Sequence, residues 1–350
     1  KPGLVGPYRQ SERLPLYHAA AEQLIATGKA YRCYTSSAEL DQMRAEQIAR
    51  GAPPKYDGRH RNLSEADRAR FAAEGRKPVV RMHIPDRDER IVVDDIVRGK
   101  VAFNSAQLDD QVLLKSDGFP TYHLAVVVDD HAMGITHVLR AEEWLPSTPK
   151  HILLYKWLEL PLPRFAHLPL LLNQDRSKMS KRKGDVAAES YRAKGYLAEA
   201  LVNFLSLLGW NPGDDRELFT LTELVETFSL ERITKAGAVF DRDKLHWMNQ
   251  TYIQKLAVER LHELAGPYIA QGPYGGEDEG FLKRVLPIVQ PALVLLSEVN
   301  EHLAVFFTDD TTPVEEALRA ELSGEEPRTV LSAFRERLAD REELDIPTFK

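Results

Sequence analysis

Positive charge is concentrated in one short segment near the middle of the chain. Residues 177–184 read SKMSKRKG and follow an apolar stretch at 168–172. Lysine and arginine beside a hydroxyl and a glycine suit a triphosphate, because cationic groups can neutralise phosphoryl oxygens as charge shifts in a transition state. A solvated basic loop, or a basic localisation patch, explains the charge more simply. Charge by itself therefore does not assign phosphate binding to this segment.

A second candidate for chemistry is Arg140, which directly follows the apolar residues 137–139. The carboxyl ends of strands are where α/β proteins place their chemistry. A charged side chain at such a position fits a nucleotide-binding sheet. The alternative is a surface ion pair with Glu142 or Glu143. Both interpretations of Arg140 stay open on the residue types alone.

Tyr122, Asp129 and Asp130 flank another apolar run, at 124–128. Tyr122 is either a core aromatic residue or a hydroxyl that contacts a substrate. Asp129 and Asp130 are either structural acids or groups that orient a substrate. The sequence does not separate these alternatives.

The letters around these residues add a stronger signal. Residues 178–182 read KMSKR, which resembles the KMSKS signature of class I aminoacyl-tRNA synthetases. Other segments, in family order over about residues 6–253, are similar to bacterial glutamyl-tRNA synthetases: GPYRQSER at 6–13, KYDGR at 55–59, LLKSDG at 113–118, PTYH at 120–123, VVDDH at 127–131, LRAEEW at 139–144, FD at 240–241, KL at 244–245 and WMN at 247–249. A five-letter motif alone is weak evidence, whereas ordered blocks over most of the chain are strong evidence.

The resemblance implies an ATP-dependent ligase that uses Mg²⁺ with its nucleotide. The α-carboxylate of L-glutamate attacks the α-phosphate of ATP, which gives glutamyl-adenylate and pyrophosphate. The glutamyl group then passes to the terminal ribose of tRNA(Glu). Positioning and charge neutralisation supply most of such catalysis, so no protein nucleophile is needed.

The resemblance also implies roles for individual residues. Lys181 would hold the triphosphate in the transition state, with help from Lys178. Arg140 would pair with the glutamate carboxylate, and the Tyr122 hydroxyl would contact the same substrate. The remaining positions implied to lie at the ATP are Met179, Ser180, Arg182, Glu143, Trp144 and Leu171.

No metal site is expected in the protein. Some family members bind zinc near the position of Cys33, the only cysteine of this chain, but Thr35 stands where a thiolate would be needed. At most Cys33, Tyr56 and His60 remain, and structural zinc requires four good ligands, usually thiolate or imidazole. The sequence therefore predicts no zinc.

Rival functions remain within and outside this family. One is a glutaminyl-tRNA synthetase, or a short paralogue that glutamylates a modified tRNA base. The long helical region after Lys183 argues against that paralogue. Another is a non-catalytic tRNA-binding protein, against which the intact Tyr122, Arg140 and Lys181 argue.

The elements that must position these residues predict an α/β class. Buried strands are expected at 124–128, 137–139 and 168–172, and a helix from Thr148 to about residue 160. These elements indicate part of a Rossmann-type catalytic domain, formed by residues 1–24 and 120–185. Helical patterns follow at 196–208, 221–228, 242–252, 258–269, 281–299 and 313–322. The resemblance implies that residues 25–119 form an inserted α+β module that binds the tRNA acceptor end, that 186–255 form a stem-contact region and that 256–350 form an anticodon-binding domain.

Composition bounds the remaining possibilities. The chain has 350 residues, 43% hydrophobic residues, 28% charged residues and a net charge of −7, which fit a globular protein and argue against one that coats DNA. No apolar run approaches the ~18–20 residues of a membrane span, and one cysteine suits a reducing compartment. A cytoplasmic protein that associates with no membrane is therefore expected, and we also expect a monomer. The family's HIGH-like motif and its C-terminal end have no counterpart here, which predicts an internal fragment that is inactive alone.

Overall fold

The computed structural model describes residues 5–86, 88–179, 187–307 and 323–339. The chain divides into two compact units. The first unit contains residues 1–192 and 197–248, and the second contains residues 193–196 and 249–350.

The first unit mixes helices and short strands. Its helices, in chain order, are α1 (Leu14–Ala26), α2 (Ser37–Ala49), α3 (Glu65–Ala73), α4 (Tyr122–Ala132), α5 (Thr148–Trp157), α6 (Ala188–Ala193), α7 (Ala198–Leu207), α8 (Leu221–Thr227) and α9 (Arg242–Gln254), the last of which continues past residue 248. Its strands are β1 (Ala30–Cys33), β2 (Val79–Met82), β3 (Arg90–Asp95), β4 (Gly99–Asn104), β5 (Val112–Leu114), β6 (His137–Ala141), β7 (Arg164–Leu168), β8 (Leu171–Leu172) and β9 (Ala238–Val239).

Local sequence explains how several helices begin. Helices α2, α3 and α8 start at Ser36, Ser64 and Thr220, whose side chains accept from the backbone N–H three residues later. In each case an acidic side chain at that third position bonds back to the cap residue, which satisfies two otherwise free N–H groups. Helix α5 begins at Thr148 with a proline in its first turn, as the sequence predicts.

The strands form three separate sheets. Strands β1, β2 and β5 form an antiparallel sheet in that order. The second sheet has the order β4–β3–β7–β6, in which β7 runs parallel to both β3 and β6. Strands β8 and β9 form a parallel pair. The second sheet has the parallel centre expected of an α/β catalytic domain.

Strands β3 and β4 lie within the segment predicted as the inserted module, yet they extend the sheet that contains β6 and β7. A continuous core also connects α1, α4 and α5 with β2 and β5, through fully buried side chains such as Tyr17, Leu113, Leu124 and Leu154. The division of the chain into a catalytic domain and an insertion stays a prediction.

The second unit is helical throughout its described part. It contains α10 (Val258–Ile269), α11 (Glu279–Val289), α12 (Val299–Leu303) and α13 (Glu325–Ala339). The predicted helix at 281–299 is instead broken after Val289, where a series of 3₁₀ turns begins with Gln290–Ala292, which contains Pro291. The predicted helix at 313–322 lies outside the described residues. The helices predicted at 196–208, 221–228, 242–252 and 258–269 are confirmed within a few residues.

Two of the predicted strands are wrong. Residues 124–128 belong to helix α4, which buries Leu124, Ala125, Val127 and Val128 and is therefore apolar on most of its circumference. A short apolar run in such a helix has no periodicity that distinguishes it from a buried strand. The predicted strand at 168–172 is split into the end of β7 and the short β8, with Pro169 between them. No described helix is long and apolar enough to cross a bilayer.

Candidate active site

Arg140 lies near the carboxyl end of β6, opposite His167 of the parallel strand β7. Its Nε–H donates to His167 Nε2 at 3.1 Å, and Nη2 donates to Thr148 Oγ1 at 2.8 Å. Nη1 donates to the Tyr122 hydroxyl at 3.2 Å and is 3.5 Å from His151 Nδ1. The guanidinium is thus held by neutral groups from β7, α4 and α5.

The ion pair considered as an alternative for Arg140 is wrong. Glu142 Oε2 lies 2.7 Å from Nη2 of Arg98, and Glu143 contacts the ammonium group of Lys178. Across the described ranges, no carboxylate lies within ion-pair distance of Arg140. The charge of Arg140 is therefore available to a ligand carboxylate.

Tyr122 is the first residue of α4 and is 44% exposed, so it is not a core aromatic residue. Its ring lies 4.9 Å from the ring of Trp144, which is 39% exposed. The Tyr122 hydroxyl faces Arg140. The structure thus brings the two residues predicted to bind glutamate into contact with each other and beside the aromatic ring predicted to lie at the ATP.

Two histidines that were not predicted to belong to the site, His151 and His123, form a line of contacts with Arg140. His151 Nε2 is 3.0 Å from His123 Nδ1. Burial, followed by the nearby charge of Arg140, lowers the pKa of His151 to about 2. Burial, and then the charges of Lys150 and Arg140, lowers the pKa of His123 to about 4. Both imidazoles are therefore neutral at pH 7, and they add no positive charge to the site.

Lys178 and Met179 are held in a tight turn that follows β8. The Met179 N–H donates to the Leu171 carbonyl at 2.9 Å, and the Asn173 N–H donates to the Ser177 carbonyl at 2.8 Å. This pairing places Lys178 beside Glu143, and Glu143 lies in the turn after β6. Three further predicted ATP residues, Ser180, Lys181 and Arg182, lie outside the described residues.

A largely apolar cavity of about 490 Å³ adjoins Arg140. Leu171, the last of the predicted ATP residues, lines it and is 36% exposed. The other side chains that line it come mainly from β7, α7 and the segment before β9, and they include Leu168, Val202, Leu205, Trp210, Phe228 and Ile233. The cavity thus places apolar surface beside Arg140.

Asp129 has a structural role. Its carboxylate accepts from Arg13 Nε at 2.7 Å and from the Tyr17 hydroxyl at 2.8 Å, which ties α4 to α1. Burial, and then the neighbouring charge of Asp129, raises the pKa of Asp130. Asp129 therefore matches the structural alternative rather than the substrate-orienting one.

The side chains around Cys33 form a hydrogen-bonded cluster. The Tyr56 hydroxyl lies 3.2 Å from the Cys33 sulfur and 3.1 Å from Thr35 Oγ1. His60 Nδ1 accepts from the backbone N–H of Tyr34 at 3.0 Å. Among the residues whose placement is described, no group of three or more His, Cys, Asp or Glu side chains could hold a metal ion.

The chain also resembles known proteins over nearly its whole length. Residues 3–247 match the family of class I tRNA synthetases (E and Q), catalytic domain, and residues 260–350 match an anticodon binding domain. A glutamate–tRNA ligase of Alkaliphilus metalliredigens is 46% identical over 98% of this chain and 70% of its own length. A glutamate–tRNA ligase of Clostridioides difficile is 44% identical with the same coverage.

Solved structures agree with the sequence comparison. The crystal structure of a glutamate tRNA ligase from Elizabethkingia meningosepticum, in complex with its amino acid, matches with a TM-score of 0.85 and 33% identity. That match covers 97% of this chain and 72% of the other. The sheet with its parallel centre, the half-buried arginine beside Tyr122 and these similarities together lead to one conclusion: the chain belongs to the glutamate–tRNA ligase family of class I tRNA synthetases.

Proposed function

We propose a division of roles among the residues of this ligase. The enzyme activates L-glutamate with ATP and transfers the glutamyl group to tRNA(Glu). Arg140 binds a carboxylate of the substrate glutamate, and the Tyr122 hydroxyl contacts the same substrate. The observation that carries this assignment is an arginine fixed by neutral groups from three elements and left without a carboxylate partner among the described residues.

The ATP phosphates would be bound by the basic turn after β8. Lys178 supports this role because its present partner, Glu143, is about half exposed, and a more highly charged triphosphate can replace it. Lys181 would neutralise the phosphates in the transition state, and Met179, Ser180 and Arg182 would lie along the nucleotide. Trp144 and Leu171 offer exposed apolar surface for the base. Magnesium would enter with the triphosphate, and we assign it no protein ligand.

Replacing Arg140 with lysine in the full-length enzyme, which is the protein used in every activity measurement below, tests the glutamate site. Lysine keeps the charge but loses the planar fork, so KM for glutamate should rise at least tenfold while KM for ATP changes little. Aminoacylation kinetics with each substrate varied in turn measure both constants. Arg164→Lys, at an exposed arginine on the adjacent strand β7, is the matched control. An unchanged glutamate KM and kcat in Arg140→Lys would remove Arg140 from the site.

Lys181→Ala tests the phosphate site. Losing one cation where charge develops should cost about 3–4 kcal/mol of barrier, by analogy with single oxyanion donors, and should slow adenylation by about two to three orders of magnitude. ATP–pyrophosphate exchange measures this step. A rate within threefold of the unmodified enzyme would contradict the assignment.

The partner tRNA would contact the inserted module at 25–119, the region at 186–255 and the helices of 256–350. The match of residues 260–350 to an anticodon binding domain supports the last of these contacts. A charging assay with purified tRNA(Glu) and tRNA(Gln) tests the substrate. Charging of tRNA(Gln) alone would favour a glutaminyl enzyme, and charging of neither would favour a binding protein. Action as a monomer in the cytoplasm stays a prediction.

We further propose that the cluster around Cys33 binds no zinc. The lone pair of His60 Nδ1 is occupied by the Tyr34 N–H, and a threonine hydroxyl takes the place of a thiolate. Metal analysis should therefore find far less than one zinc per chain, and a chelator should leave the melting temperature unchanged. One zinc per chain would refute the proposal.

A further inference from the structure

The contacts behind Arg140 lead to a buried carboxylate on the neighbouring strand. His167 Nδ1 lies 2.6 Å from Oδ2 of Asp95, the last residue of β3, and both side chains are 0% exposed. Asp95 Oδ1 also accepts from the backbone N–H groups of Val97 and Arg98, at 3.0 and 2.8 Å. Burial alone would raise the pKa of Asp95, but the hydrogen bonds from Arg98 and His167 lower it overall. Asp95 is therefore an ionised group that can only accept hydrogen bonds.

These neighbours determine the protonation of His167 from both sides. Because Asp95 only accepts, the proton must lie on Nδ1 of the imidazole. Because Arg140 Nε–H can only donate, Nε2 must keep its lone pair. The charged groups that act on this ring are Asp95, Arg140 and Arg98, and the ring also influences the neighbouring titratable His151. Only one form of His167 satisfies these contacts, namely the neutral ring with its proton on Nδ1.

The same contacts fix the plane of the guanidinium. Arg140 Nε is held by His167 at 3.1 Å, and Nη2 is held by Thr148 Oγ1 at 2.8 Å. Thr148 Oγ1 in turn lies 3.1 Å from His167 Nε2, and both residues are 0% exposed. The edge of the guanidinium that carries Nε and Nη2 is thus held by buried groups, while Nη1 donates to the exposed Tyr122.

We propose that His167 is a positioning residue for glutamate recognition: Asp95 holds its neutral ring so that Nε2 orients the guanidinium of Arg140 toward the substrate carboxylate. This inference rests on the proposed role of Arg140. It assigns a function to a buried histidine that touches no substrate. It also explains why a carboxylate is kept one residue away from Arg140, because a direct Asp95–Arg140 pair would neutralise the charge that the substrate needs.

Two amide substitutions of His167 test its contact with Asp95 and its contact with Arg140 separately. Asparagine places an amide near the position of Nδ1 and can still donate to Asp95, but it offers no acceptor to Arg140. Glutamine reaches the position of Nε2 and can offer its carbonyl oxygen to Arg140. His167→Asn should therefore raise KM for glutamate at least tenfold with KM for ATP within twofold. His167→Gln should keep KM for glutamate within threefold of the unmodified enzyme.

The control is His137→Asn, at a half-buried histidine that begins the adjacent strand β6, and it should leave both constants within twofold. Equal effects of the two His167 variants on the glutamate constant, or a parallel rise in the ATP constant, would overturn the proposal. If Arg140→Lys raises KM for glutamate but His167→Asn does not, only the positioning role fails. If Arg140→Lys also has no effect, the proposed glutamate site itself fails.

A measurement on the unmodified protein does not depend on whether these variants fold. Nitrogen-15 NMR of labelled histidine should show a ring with a protonated Nδ1 and an unprotonated Nε2 that persists from pH 6 to pH 8. If no ring of the protein has this form over that range, the proposal is overturned.

Discussion

A line of contacts joins Arg140 to His151 and His151 to His123. Of these three basic side chains, only the guanidinium of Arg140 is charged. The line begins at the guanidinium and passes through His151 Nδ1 to His123. Protonating either imidazole would place a second cation in a poorly solvated region. Because folding keeps both histidines neutral, the free energy of unfolding should depend on pH.

The stability of the first unit should therefore fall as the solution is acidified. The folded-state pKa of His151 is about 2 and that of His123 about 4, both below the ~6.5 of a histidine in an unfolded chain. Below pH 6.5 the unfolded chain thus binds more protons than the folded one, so stability is complete above that pH and is lost below it. Each such histidine should cost about 1.4 kcal/mol between pH 7.5 and 5.5.

Urea denaturation at the two pH values measures this loss. His151→Gln has no proton to gain, so it should lose about 1.4 kcal/mol less than the unmodified protein. His131→Gln, at an exposed histidine, is the control and should behave as the unmodified protein does. Equal losses in His151→Gln and the control would mean that His151 is not a buried neutral group.

At the scale of elements, the short pair β8–β9 holds the start of the basic turn. The Phe240 N–H donates to the Leu172 carbonyl at 2.8 Å, and the Ala238 N–H donates to the Leu170 carbonyl at 3.0 Å. Gly237, just before β9, lies so close that a Cβ there would be 2.7 Å from Leu172 Cδ1. The position of Lys178 thus depends on a close approach between two segments that are distant in sequence.

Gly237→Ala should displace β8 and with it the turn that carries Lys178. Because the added methyl would meet Leu172 well inside van der Waals contact, we expect KM for ATP to rise several-fold and KM for glutamate to change less. Steady-state aminoacylation gives both constants. Gly276→Ala is the matched control, since no atom lies within 4 Å of its added Cβ. Constants that match those of the control would show that β9 does not set the position of the turn.

Elements with a clear local signal could be predicted from the sequence. Thr148 at the start of α5 is an example, because Thr148 and the proline that follows it mark the beginning of the helix locally in the chain. Residues 124–128 were predicted as a strand, although they are helical, because a helix buried on most sides has no polar face that would show the helical period.

The site shows the same limit. Arg140, Tyr122 and Lys178 lie in short motifs, so the sequence could name them as candidates. His167 and Asp95 are 72 residues apart and meet only through the pairing of β3 with β7. A histidine within the otherwise apolar residues 165–168 was the one available signal for His167. Its partner could not be named without the sheet order.

At the scale of the whole molecule, a net charge of −7 must be reconciled with a polyanionic partner. Binding of tRNA must rest on local basic surfaces, since the overall field is repulsive. Contacts with phosphates release counterions, so affinity for tRNA should weaken by at least about tenfold between 50 and 200 mM salt. Filter binding or fluorescence anisotropy at several salt concentrations gives the slope. An affinity that does not change with salt would rule out phosphate contacts as its main source.

The thiol of Cys33 can report local unfolding of the sheet β1–β2–β5. Cys33 is the only cysteine of the chain and is 1% exposed, packed with Tyr31, Met43 and Tyr56. A thiol-reactive dye can therefore attach only during excursions in which this packing separates. The labelling rate, compared with that of a free thiol, reports the free energy of those excursions at a single atom. If tRNA binds this part of the chain, adding it should slow the labelling in proportion to its occupancy.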